Sequence, residues 1–460
     1  MPTSNELSMT PDNPYRRWIG DDMALCKPLI TGDELREIPL EVAARVFHLE
    51  GKGPKARVFT DLEHLQVVDY GAFDGLSAGQ RQQIADLHAG DPIRPEDMVF
   101  LALKSLFQFV WPKPTSEDDI RYAAYTQSML NMVLKHKALD LAKPFAMPDG
   151  LLPYWGRMAF LRVLGNLPYE NVQRFGLDRV ACTLVKRAKF NATTIAHSGG
   201  PIIAINYALE PVLKQLNGIL LHFFGTREMA GPKRLDRALN SLLPMVLHFW
   251  SDISAIHLVR EPTALYDDTG TLGHELTYDQ TDFIVMHELG HVALDHPRRL
   301  KAEVEAGRNV TMTRHEFEFS ADAFALGLMR SSLMNATKAA LQGDQRLASG
   351  DAVNALTGAL HDHQRQLGSV FLLFTYMDFI QRAGEMLRDR NNGALVIAPS
   401  IDSHPRAAAR LGRLELMNLG EYLYTSPLQR YAAEFLQSVL DYASGLEVLD
   451  LIERAAAVAK

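Results

Sequence analysis

The pentapeptide His287-Glu288-Leu289-Gly290-His291 constrains the fold of this chain more than any other feature of its 460 residues. A helix advances about 100° and about 1.5 Å per residue, so residues four apart sit one turn above each other on nearly the same face. Two imidazoles placed this way can reach one ion. Glu288 directly follows the first of them and projects beside such an ion, where a carboxylate can take a proton from a metal-activated water. The pattern fixes only three of its five positions, so its bland alternative is an amphipathic helix with histidines on the polar face. The rest of the chain must decide between the two.

Zinc needs a third protein ligand, and catalytic sites leave a fourth position open. In the long metzincin pattern a glycine and a third histidine follow the second histidine by three and six residues. Leu294 and Pro297 occupy those positions here, which excludes that subclass. His296 lies five residues after His291, and on a continuing helix it turns away from the ligand face, while Pro297 discourages further helix. It reads as a surface residue or one standing behind the ligands. The better third ligand is Glu318, in Glu318-Phe319-Ser320-Ala321-Asp322, within a helical segment from about His315 to Met329. Small residues at Ser320, Ala321, Ala323 and Ala325 allow two helices to approach closely. Asp322, one turn beyond Glu318, can accept a hydrogen bond from the free ring nitrogen of a ligand histidine. Glu316, on roughly the opposite side of the helix, is the main rival, with His315 behind it, and a plain acidic surface is the bland alternative.

Together these two segments resemble the gluzincin metallopeptidases, most closely the HtpX and CAAX-prenyl-protease family, whose third ligand sits in a Glu-x-x-Ala-Asp helix. Downstream, Ser403-His404-Pro405-Arg406-Ala407-Ala408-Ala409-Arg410 resembles that family's Ser/Thr-His-Pro segment followed by an arginine. The resemblance runs over roughly residues 195 to 415. It implies a zincin-like α+β fold, one Zn2+ per chain held by His287, His291 and Glu318, and peptide hydrolysis. It further implies that His404 binds the tetrahedral oxyanion, unless a tyrosine elsewhere does so, and that Arg410 orients the site. Read from composition alone, Pro405 and Ala407 to Ala409 form a helix start. Members of that family are often membrane-embedded. The longest apolar run here, Gly368 to Ile380, is shorter than the about 18 to 20 residues a bilayer requires, and Asp378 interrupts it. It is expected to be a buried core helix. The ImmA/IrrE-like peptidases, and a soluble phage-exclusion peptidase of the Lit type, are weaker resemblances.

A net charge of −8 gives no reason to expect nucleic-acid binding, and a polar start without an apolar stretch predicts no export. With only Cys26 and Cys182, a disulfide framework is not expected and a cytoplasmic location is. The expected organisation is a flexible lead over 1–25, a mostly helical accessory region over 26–190, a metallopeptidase domain over 191–420 and a helical segment over 421–460. Within the accessory region Arg57 to Thr60 and Leu65 to Tyr70 read as strands, and Ser116 to Asp119 as the start of a helix reaching about Leu141. Upstream of the zinc motif, Ile202-Ile203-Ala204-Ile205-Asn206 reads as a strand. Ile202, Ala204 and Asn206 are candidates to pair with an extended substrate, against an ordinary buried strand. Leu209 to Phe224 and Leu235 to Trp250 read as helices, with Pro244 a place for a kink.

The fold class expected is therefore α+β and predominantly helical, with a small sheet beside the metal-binding helix. The function expected is zinc-dependent endopeptidase action on an intracellular protein or peptide, with Glu288 as general base. Two alternatives stand beside it: an inactive zinc-binding structural or regulatory protein on the same fold, and a helical scaffold with a chance motif.

Overall fold

A computed structural model describes residues 32–38, 40, 58–61, 66–69, 116–123, 125–126, 130, 152–165, 167–185, 191–196, 200–206, 208–225, 231–250, 268–343, 349–390, 404–417 and 427–459. The lead over 1–25, Cys26, the distal part of the helix expected to reach Leu141, and Ser403 lie outside them. The first described elements are a short helix α1 (Gly32–Arg36) and the antiparallel pair β1 (Val58–Asp61) and β2 (Gln66–Asp69), where the sequence predicts strands. Ser116 and Asp119 bond each other's backbone N–H reciprocally at the head of a helical stretch, as the capping pattern predicts.

From residue 152 onward the elements are α2 (Leu152–Gly165), α3 (Tyr169–Arg174), a 3-10 turn (Leu177–Arg179), β3 (Ala181–Val185), β4 (Ala192–Ile195) and β5 (Ile202–Asn206). After them come α4 (Leu209–Gly225), α5 (Pro232–Trp250), α6 (Asp268–Ala293), α7 (His296–Glu305), α8 (Thr311–Gly343), α9 (Ser349–Arg390), α10 (Ala407–Met417), α11 (Pro427–Ser444) and α12 (Val448–Ala459). The described structure is thus mostly helical with a small sheet. Pro244 lies inside α5, which continues across it.

The sheet has the order β3-β5-β4, with β3 parallel and β4 antiparallel to β5. All five residues of β5 are buried, and both its backbone edges are taken by its neighbours. This corrects the expectation for Ile202, Ala204 and Asn206: a central strand has no free N–H and C=O row to offer a substrate. Among the described residues the strand with an unpaired edge beside the metal-binding helix is β4. Because β3 pairs with β5 along its length, the sheet also spans position 190, where the accessory region was expected to end.

Helix α6 carries the pentapeptide and is packed by α2, α4, α8, α9, α7 and β4. A helix covered on so many sides must be apolar or have its polar groups satisfied. Phe283, Val285, Met286 and Leu289 supply the apolar part. In the first half of the helix, buried Asn217 of α4 donates to Thr277 and Gln280, each at 2.9 Å, and accepts from Tyr376 of α9 at 2.9 Å. Arg162 of α2 grips both oxygens of Asp282, and Arg365 of α9 reaches Asp279 at 2.7 Å. The Gly368 to Ile380 run lies inside α9 with Val370 to Phe374 buried, as a core helix requires. No described helix is long and apolar enough to cross a membrane.

Candidate metal centre

Close contact between α6 and α8 builds the site. Gly290 faces Ala321, and a Cβ at position 290 would lie 3.2 Å from the Ala321 Cα and carbonyl oxygen. Small residues on both sides therefore bring the two backbones together, and Glu318 and Asp322, flanking Ala321, reach the histidines of α6. His287 Nε2 and His291 Nε2 are 3.1 Å apart, and Glu318 lies 3.4 Å from the first and 3.5 Å from the second. Ligand atoms about 2.0 to 2.2 Å from a tetrahedral zinc are roughly 3.3 to 3.5 Å from one another. The three side chains thus form a group that could hold a metal ion.

Glu288, Glu318 and Asp322 are buried together with His287 and Arg410, so carboxylates and cationic groups share one desolvated pocket. Burial pushes the Glu318 carboxyl up, but His287 and His404 outweigh it and hold it well below the usual carboxylate range. His287 is pushed up to about 10: burial opposes its charge, and the bonds to Asp322 and Glu318 prevail. His291, by contrast, is pushed down to about 3 by burial and by its neighbour His287, so it is a neutral imidazole with a lone pair available.

Asp322 accepts from His287 Nδ1 at 2.9 Å, the role expected of it, and that bond leaves Nε2 turned to Glu318. Arg410, from α10, bonds both oxygens of this carboxylate, Nε donating to Oδ2 at 2.8 Å and Nη2 at 2.6 Å to the Oδ1 that also faces His287. Burial works against the guanidinium charge and Asp322 sustains it. His404, just before α10 and half exposed, places Nδ1 3.1 Å from Glu318 Oε1, so the structure brings it to the carboxylate expected to be a ligand. Glu316 points elsewhere: it is exposed and pairs with Arg413 at 3.3 Å. Of the two glutamates it is Glu318 that lies with the histidines.

Three features of the site go beyond the sequence reading. Thr194, on β4, donates from Oγ1 to Glu288 Oε2 at 2.7 Å or to its carbonyl at 3.0 Å. Burial pushes the Glu288 carboxyl up against the pull of His287 and Thr194, which suits a group that must accept and return a proton. Gly290 sets the helix separation. The third is the break after α6. Asp295 adopts a left-handed φ of 56°, and α7 starts anew with Pro297 in its first turn. His296 is therefore not turned away on a continuing helix but folded back beneath His291. It is 2% exposed, with its Nδ1 2.9 Å from His291 Nδ1, which removes the surface alternative.

The two histidines and one carboxylate form a group that could hold a metal ion, with Glu288 adjoining it. Among known proteins, the peptidase U49 family model matches residues 259–424, a span that contains His287 through Arg410. That match supports a peptidase. A further similarity is to methylenetetrahydrofolate–tRNA-(uracil-5-)-methyltransferase TrmFO of Bradyrhizobium sp. (strain ORS 278), 28% identical over 129 residues. The matched stretch covers 27% of this chain and 28% of that protein. No solved structure matches the chain.

Proposed function

We propose that the chain is a zinc-dependent endopeptidase of gluzincin type, related to the HtpX and CAAX-prenyl-protease group and acting on a cytoplasmic protein substrate. One observation carries the reading. His287, His291 and Glu318 converge at zinc-ligand spacing with Glu288 beside them, in a span that matches a peptidase family. Zinc bound there would polarise the scissile carbonyl and lower the pKa of an attacking water. Glu288 takes the proton from that water and delivers it to the leaving amine, its carboxylate aimed by Thr194. His404 steadies Glu318 through Nδ1 and stands at the exposed mouth of the site, where its ring can reach a developing oxyanion. Arg410 holds Asp322, and through it the His287 ring. An extended peptide would pair with the free edge of β4, next to the Thr194 and Glu288 contact.

Metal analysis and terminal proteomics test the reading together. Purified wild type should carry one zinc per chain, Glu288→Gln should keep it, and new protein termini should arise only in cells expressing wild type. Glu318→Gln should lose zinc while Glu316→Gln keeps it. A chain that retains no stoichiometric zinc refutes the proposal. Zinc retention with no difference in termini favours the inactive, structural alternative.

A further inference from the structure

The two histidines of the pentapeptide are backed differently. Behind His287 stands the Asp322 carboxylate, itself held by Arg410. Behind His291 stands another imidazole, His296, whose Nε2 lies 3.2 Å from Ser320 Oγ. The His296 ring cannot swing freely. It stacks on Phe317 with centroids 4.2 Å apart and planes 3° from parallel, and Arg299 lies over the same Phe317 ring at 4.7 Å.

This chain of three groups can carry its protons in either of two directions. In one, the Ser320 hydroxyl donates to His296 Nε2, His296 Nδ1–H donates to His291 Nδ1, and the remaining His291 proton sits on Nε2. That arrangement blocks the nitrogen that faces Glu318. In the other, Ser320 spends its proton on the Glu316 or Phe317 carbonyl, at 2.8 and 3.0 Å, and its oxygen accepts from His296 Nε2–H. His296 Nδ1 then accepts from His291 Nδ1–H, and His291 Nε2 keeps its lone pair. Two carbonyls within reach of one hydroxyl give the second direction its starting point.

We propose that His296, with Ser320, is a positioning residue that fixes the tautomer and ring plane of His291 so that its Nε2 faces the metal with a free lone pair. This rests on the reading of His291 as a zinc ligand.

The test uses the full-length chain loaded with zinc. Two-bond 1H–15N spectra of histidine-labelled protein should show His291 protonated at Nδ1 and His296 at Nε2. Chelator competition should show His296→Leu weakening zinc binding about 10- to 100-fold. His296→Asn should recover most of the affinity, because the asparagine Oδ1 hangs from Cγ as the imidazole Nδ1 does. A spectrum with the proton on His291 Nε2 overturns the proposal. So does unchanged affinity in His296→Leu, or an Asn variant that folds as wild type yet binds as weakly as Leu. If His296→Leu fails to fold, the wild-type spectrum alone decides. A wild-type chain that binds no zinc overturns the ligand reading itself, and is distinguished by showing no zinc-induced shift at either histidine.

Discussion

Gly290→Ala tests the contact on which the site is built. The added Cβ would lie 3.2 Å from the Ala321 Cα, from its carbonyl oxygen and from the edge of the Phe324 ring. Carbon contacts settle at about 3.5 to 4.0 Å, so α6 and α8 must part locally by roughly 0.3 to 0.8 Å. Two of the three obstacles are backbone, which cannot rotate aside. Alanine gains about 1 kcal/mol in helix propensity over glycine, and overpacking costs about 1 to 3 kcal/mol, so net stability should range from unchanged to about 2 kcal/mol lower. Metal binding should suffer more. Glu318 and Asp322 ride on the displaced segment, and ligand distances must hold to about 0.2 Å. We expect zinc affinity to fall about tenfold or more, equivalent to about 1.4 kcal/mol. Urea unfolding of metal-free protein gives the first quantity and chelator competition the second. A variant that is more stable than wild type and binds zinc as tightly would show that the two helices do not meet at this residue.

Three further expectations concern groups around the site. Arg410→Ala leaves the buried Asp322 carboxylate with His287 as its remaining partner and should cost about 1.5 to 3 kcal/mol in urea unfolding, with Arg410→Lys only partly restoring it because a lysine cannot make the two-pronged contact; a midpoint equal to wild type for Ala contradicts this. Burial pushes Asp279 up to about 7 despite Arg365, so from about pH 4 upward the unfolded chain releases a proton that the folded chain still holds. Its contribution to stability should be lost progressively as pH climbs to about 7, and the stability difference between wild type and Asp279→Asn, measured by urea unfolding across that range, should grow with pH in favour of Asn; a constant difference rules the linkage out. Asp295, at φ 56°, should tolerate Gly, whereas Ala should lose about 1 kcal/mol, read as a lower unfolding midpoint; equal midpoints for Ala and Gly would deny the left-handed turn its cost.

Spacing made the first part of the site legible. His287, Glu288 and His291 follow from helix period, and Asp322 follows from Glu318 by one turn. The choice of Glu318 over Glu316 also follows from helix period once one face of α8 is known to pack on α6. What could not be read was set by contacts distant in the chain. Thr194 reaches Glu288 across 94 positions, and nothing local marks one threonine of β4 as its partner. For Ile202–Asn206 the sequence leaves a substrate-pairing strand beside an ordinary buried one, and the apolar composition signals burial on both faces, hence the central strand observed. For His296 it leaves a surface place beside one behind the ligands, because α6 is read as running on. Asp295 is among the few residue types that enter the left-handed region readily, and with Pro297 following it the break had a local cue.

The polar contacts along the first half of α6 have a consequence for anyone wishing to move this site elsewhere. Asn217 meets Thr277, Gln280 and Tyr376, and Arg162 and Arg365 take Asp282 and Asp279. Sliding or rotating the helix by one residue would break all of them at once, so they act as a key that admits α6 in a single register. Copying the three ligands and Glu288 onto another pair of helices would transplant the chemistry without its alignment. The portable unit is longer, reaching from Thr277 to His296 together with the α8 face that carries Glu318 and the faces of α2, α4 and α9 that read it.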